Sequence, residues 1–225
     1  MNTLSAIFHL AAKDIRIELR TREALASMVI FSLLVIVLFH FGFAELGANA
    51  VVFAPGALWV TFTFSAMIGL SRSFSMEEMN GCLRGLLLCP HDRGVIYAGK
   101  TAAAVVTVTA ASSVTLVLFT ILFNLPVSGN ILLIWVVMFL GIAGIAAVGT
   151  LFSAMSQGTR MRQTLLPVLV LPVILPQVVF GMNTTAKLLG TGDLGSIPAN
   201  LVGMLAFDVI LATVGVLTFE HVVVE

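Results

Sequence analysis

Charge along this chain is confined to a few short islands, and the intervals between them are apolar and of helical length. Six such intervals fall at about 24–44, 51–70, 96–123, 131–152, 164–182 and 201–219. Roughly 20 residues at 1.5 Å rise each cross a hydrocarbon core of about 30 Å, so each interval is long enough to span a bilayer. Within lipid the backbone must bond to itself, which makes these spans helices. The pattern therefore predicts an all-α integral membrane protein, a single transmembrane domain over 1–225 with six transmembrane helices. Ahead of the first span, Leu4, Phe8, Ala11, Ile15 and Leu19 recur at three- and four-residue steps, while Lys13, Asp14, Arg16, Glu18 and Arg20 occupy other faces. That period describes an amphipathic helix over 1–23 lying in the membrane interface. Anchoring the chain and docking a cytoplasmic partner are both open roles for it.

Composition strengthens this picture. The chain is 59% hydrophobic and 10% charged, against roughly 25% charged in a soluble domain. Its formal net charge of zero offers no basic field for nucleic acid. Where the basic residues sit is more telling than their sum. Lys13, Arg16, Arg20 and Arg22 precede span one; Arg72, Arg84, Arg93 and Lys100 lie between spans two and three; Arg160 and Arg162 lie between spans four and five. Only Lys187 falls on the opposite side, so the positive-inside rule places both termini and the 71–95 loop in the cytoplasm. The Ala48-Asn49-Ala50 triplet resembles a leader cleavage site, but the apolar block before it is too long and no cleavage is expected.

The longest polar interval, 71–95, carries the most information about function. Arg72, Glu77 and Glu78 open it, Leu83, Leu86, Leu87 and Leu88 follow, and Pro90 interrupts any helix. A short helix presenting leucines outside the bilayer seeks either a partner protein or the membrane surface.

Several motifs taken in order resemble one family. They are Lys13-Asp14-Ile15-Arg16-x-Glu18-Leu19-Arg20 at the start, Ala54-Pro55-Gly56-x-x-Trp59-Val60 entering span two, and Arg72…Phe74…Glu77…Gly81-x-Leu83-x-x-Leu86-Leu87-Leu88-x-Pro90 followed by Lys100. Leu171-Pro172-Val173-x-x-Pro176 in span five completes the set. Together they look like the haem exporter protein B family, CcmB, over essentially the whole chain. The resemblance implies an ABC-2-type permease subunit of the bacterial inner membrane that forms a homodimer and docks on a separate ATP-hydrolysing subunit, CcmA. It further implies work with CcmC and CcmD in cytochrome c maturation, where ATP hydrolysis on the partner is tied to release of the haem-loaded periplasmic chaperone CcmE. Haem is then a transported or handled ligand rather than a resident cofactor. The loop after span two becomes a cytoplasmic coupling helix, with Glu77, Gly81, Leu83, Leu86, Leu87, Leu88 and Pro90 meeting the ATPase. Ser71 and Arg84 depart from the family pattern, and Arg84 reverses a charge at that surface. Permeases of other ABC-2 exporters, for lipid or saccharide, share the coupling design, and a non-transporting scaffold for haem-handling subunits would share the topology.

Other features divide into chemistry and packing. Gly94-Val95-Ile96-Tyr97-Ala98-Gly99-Lys100-Thr101 matches the phosphate-loop pattern letter for letter. It runs straight into span three, with no following strand to supply a magnesium-binding acid and no room for the surrounding sheet, so nucleotide binding is not expected, and Lys100 reads as an interfacial anchor with its amine reaching headgroups. Cys82, Cys89 and His91 lack metal-ligand spacing, and His40 near the outer end of span one has no second ligand in view. Asp208 is the one acid deep inside a span, where an ionised carboxylate costs about 2.5–3.5 kcal/mol on insertion scales. It serves either a substrate or conformational path, or a structural bond to Thr213 or a neighbouring helix. Pro167, Pro172 and Pro176 oblige span five to bend or break and to face protein that satisfies the freed carbonyls. Pro172 and Pro176 join Asp208 as candidate intramembrane functional positions. Gly141, Ala143, Gly144, Ala147 and Gly149 open span four to close helix approach. No catalytic triad, carboxylate pair or metal motif stands in the sequence, so enzymatic chemistry in this chain alone is not expected, and the resemblance implies a transporter subunit.

Overall fold

The computed structural model describes residues 3–43, 50–79, 93–125, 130–155, 162–190, 195 and 197–222. They form seven helices: α1 Thr3–Thr21, α2 Glu23–Gly42, α3 Ala50–Met79, α4 Arg93–Leu122, α5 Ile131–Met155, α6 Arg162–Leu189 and α7 Ile197–Val222. Among the described residues there is no strand. All but α1 are long and apolar enough to cross a membrane.

The expected spans are present, with several ends shifted. Helix α3 runs on to Met79, well past the span end near residue 70, because nothing between Ser71 and Met79 breaks a helix. The predicted 71–95 loop is thus partly a continuation of span two. Helix α4 begins at Arg93 and holds 30 residues, about 45 Å, so it projects beyond the hydrocarbon. Helix α6 reaches Leu189 and takes in Lys187, while α7 starts at Ile197. Helix α6 also keeps Pro167, Pro172 and Pro176 inside one continuous helix. The break allowed by three prolines does not occur. Only one face of α6 enters the bundle: Leu166, Val170, Ile174 and Gln177 are buried, whereas Pro172 and Pro176 are exposed on the outer face.

The core is a seam of α3, α5 and α6, with α2, α4 and α7 closing around it. At its centre stands the indole of Trp59, fully buried. Gly141 of α5 and Gly181 of α6 both lie against that ring, and a Cβ at either position would overlap it. One turn along, Phe62 meets Trp59 edge-on at 6.0 Å between centroids. Small residues in α5 therefore do what their pattern suggested, and the reason is a specific aromatic plug. Gly149 likewise faces Leu70, and Gly69 faces Met28. Hydroxyls inside the spans bond back to the carbonyl one turn earlier, as Thr61 does to Ala57 at 2.7 Å and Thr115 to Ala111 at 3.0 Å. This satisfies those hydroxyls without water, while the buried hydroxyls of Ser32, Thr63, Thr109, Ser112 and Thr150 have no hydrogen-bond partner among the described residues.

Helix α1 is not a free surface helix. It packs along the first turns of α4, with Gly99 set against Leu10 and the Ile7 carbonyl. A sharp turn follows, in which Arg22 takes a left-handed conformation at φ 56°. The Glu18 carboxylate then caps α2, accepting the Leu25 N–H at 2.8 Å.

Candidate functional site

Two polar centres stand out inside this apolar bundle. The deeper one joins α5, α6 and α7. Gln177 Nε2 donates to Asp208 Oδ1 at 2.9 Å and to the Leu140 carbonyl at 3.1 Å. The pair lies directly over Gly144, where a Cβ would overlap Asp208 Oδ1 and crowd the Gln177 amide. Gln177 is completely buried, and its Oε1, like Asp208 Oδ2, has no hydrogen-bond partner among the described residues. Asp208 faces the bundle, as an intramembrane acid should. The bond to Thr213 does not form: that hydroxyl is spent on the Val209 carbonyl at 2.7 Å. Nothing in the sequence reading pointed to Gln177, although an amide in one span is the natural partner for an acid in another.

Close by, Trp59 Nε1 donates to Thr185 Oγ1 at 3.0 Å, and Thr185 in turn donates to the Gly181 carbonyl at 2.8 Å. The Trp59 motif thus locks α3 to α6 through both packing and a satisfied hydrogen-bond chain.

The second centre lies where α1, α2, α3 and α4 meet. Lys100 Nζ pairs with Asp14 Oδ2 at 3.7 Å, while Asp14 Oδ1 also takes Lys13 at 3.1 Å. Lys100 is only 5% exposed, so its amine does not reach headgroups; α1 folds over it and supplies the counter-charge instead. Glu18 joins Asp14 and Lys100 around a cavity of about 30 Å³, floored by Met28, Gly69 and Leu70. That is room for about one water. The phosphate-loop lookalike dissolves into the same packing. Its residues are all helical, Gly99 admits α1, Gly94 faces Val216, and Tyr97 donates its hydroxyl to the Ala147 carbonyl at 2.9 Å.

The remaining candidates separate. Glu77 belongs to the last turns of α3. Gly81, Leu83, Leu86, Leu87, Leu88 and Pro90 fall outside the described residues, as do Cys82, Cys89 and His91. Among the described residues no group of His, Cys, Asp or Glu is arranged to hold a metal. His40 is exposed and sits edge-on to Phe123 at 5.6 Å, beside Phe43 and Phe53.

Six lipid-length helices packed around a buried aromatic seam define a multi-pass membrane protein. The family model for CcmB protein matches residues 5–224. This chain belongs to the CcmB family. It is 28% identical to Heme exporter protein B of Paracoccus denitrificans over 212 residues, 93% of this chain and 94% of the relative. It is also 28% identical to Heme exporter protein B of Rhodobacter capsulatus over 178 residues, 79% of this chain and 81% of the relative. The protein of that name from Pseudomonas aeruginosa is 24% identical over 179 residues, 79% and 80% of the two chains.

Proposed function

We propose that this chain is the membrane permease subunit of a haem-exporting ABC complex of the bacterial inner membrane. It works as a homodimer on a separate ATPase of the CcmA type, alongside CcmC and CcmD and in functional link with the chaperone CcmE. Haem is the cargo or handled ligand, and ATP is bound by the partner. Both termini face the cytoplasm in this reading, which the distribution of basic residues supports.

The observation that carries the proposal is the long continuation of α3. A span that persists as helix to Met79 is a stiff lever, and the leucine-bearing 80–92 stretch connects its tip to the start of α4. Motion of an ATPase gripping Leu83, Leu86, Leu87 and Leu88, with Glu77, Gly81 and Pro90 shaping that contact, would be delivered to both helices. Helix α3 carries Trp59 into the central seam, so a tilt there is felt by α5 and α6 through Gly141 and Gly181.

Co-purification with the ATPase tests this directly. Leu86→Asp with Leu87→Asp should reduce recovery of the ATPase by about tenfold or more, since charges cannot enter an apolar groove unpaired. Unchanged association would remove the coupling role. An ATPase-dead partner separates transport from scaffolding: persistent chaperone release without hydrolysis would favour the scaffold.

A further inference from the structure

Helix α1 segregates its charges. Its two acids turn inward, Asp14 to the lysines and Glu18 to the α2 N-terminus. Its arginines turn outward: Arg16 and Arg20, one helical turn apart, are exposed and have no ion-pair partner among the described residues. Beside Arg16 an open groove of about 470 Å³ runs between α1 and α4. Phe8, Ala12, Ile15 and Leu19 line one wall, and Ala102 and Val106 the other. The alanines leave the groove unfilled. Phe8 and Leu19 stay 70% and 61% exposed at its rim.

From this arrangement we infer that the α1–α4 groove is a binding site for one anionic phospholipid, an acyl chain lying in the groove and the headgroup phosphate held by Arg16 and Arg20. Charge complementarity selects this occupant. An apolar trough lined at one point by the Arg16 guanidinium, with exposed Arg20 one helical turn further along α1, matches a molecule with a long hydrocarbon tail joined to an anion, and guanidinium grips phosphate with paired N–H donors. A zwitterionic lipid fits the trough equally well but adds a cation beside the arginines. The inference rests on α1 lying at a membrane surface, as the permease reading requires, and is independent of the ATPase contact.

Native mass spectrometry of the purified full-length chain provides the test, after equilibration with phosphatidylglycerol and phosphatidylcholine of matched acyl chains. One phosphatidylglycerol per chain should survive detergent stripping in preference to phosphatidylcholine. Arg16→Ala with Arg20→Ala should lower its retention by about thirtyfold, the loss expected when two surface cations near an anionic lipid are removed together. Arg16→Lys with Arg20→Lys should retain most of it, and keeps the test valid if the alanine variant folds poorly. Ala12→Phe, which fills the trough, should displace both lipids. Equal retention of the two lipids, or retention unmoved by removal of both arginines, overturns the site. So does a photo-cross-linker at Phe8 that captures a polypeptide rather than lipid. Loss of ATPase binding in the Leu86 and Leu87 variant should leave lipid retention unchanged, which separates failure here from failure of the functional reading.

Discussion

Asp14 and Asp208 are both acids held against a helical bundle, yet one is answered by lysine and the other by an amide. Asp14 sits where α1 crosses the first turns of α4, and Lys100 meets it with a full counter-charge. Asp208 sits deep between α5, α6 and α7, where Gln177 meets it with a neutral donor shared with the Leu140 carbonyl. Depth explains the difference. Near the interface two charges can enter together during assembly, whereas at mid-bilayer each added charge must be carried into hydrocarbon at insertion cost. The comparison predicts that breaking the shallow pair harms the protein more than breaking the deep one, because the shallow pair loses a full counter-charge and the deep one a neutral donor.

Asp14→Ala is the severest test. It removes the Asp14 carboxylate from the buried Lys100 amine and should cost about 3 kcal/mol, read as a lowered unfolding midpoint in detergent. Replacing both partners by apolar residues, Asp14→Leu with Lys100→Met, should recover most of that loss, since a well-packed apolar pair avoids desolvation altogether. A double variant as unstable as the single one would mean that the ion pair itself, not the cost of the buried Lys100 charge, decides the loss.

Gln177→Leu comes next. Interhelical hydrogen bonds in membranes average about 0.6 kcal/mol and reach about 1.7, so losing two bonds that bridge three helices should cost about 1–2 kcal/mol. Asp208→Asn keeps an acceptor for Gln177 and should cost less. A loss from Gln177→Leu that equals that of Asp14→Ala would overturn the argument from depth.

How far these centres were legible in the sequence follows from the same physics. Spans are set by the length of apolar runs, so all six could be read, with errors only where a helix outruns the lipid, as α3 does to Met79. Asp208 declared itself because an acid in an apolar run is conspicuous. Gln177 did not, since a single amide is common enough in a span that only the crossing of α6 with α7 gives it meaning. Lys100 misled for a related reason. One lysine at the edge of a span is ordinarily an anchor, and only the fold of α1 back over α4 buries it. Prolines in α6 suggested a break, but its one-sided burial shows a helix that holds together around them. The proposed coupling residues from Gly81 to Pro90 rest on sequence pattern and resemblance.

The mildest expected effect sharpens the comparison most, because it separates charge from geometry within one residue. Glu18 Oε1 accepts the Leu25 N–H at 2.8 Å at the start of α2, where the exposed amides of a helix N-terminus favour an anion. Glu18→Gln keeps an oxygen in the same place and removes only the charge. If the carboxylate acts through the helix dipole, this change should cost about 0.5–1 kcal/mol. Glu18→Ala removes the acceptor as well and should cost about 1–2 kcal/mol, with faster hydrogen exchange at the Leu25 amide in both variants and the larger change in alanine. Were glutamine to match the parent in both stability and exchange, the cap would be a matter of hydrogen-bond geometry alone. The case for charge as the ordering principle at the α1–α4 junction would then rest on Asp14 and Lys100 only.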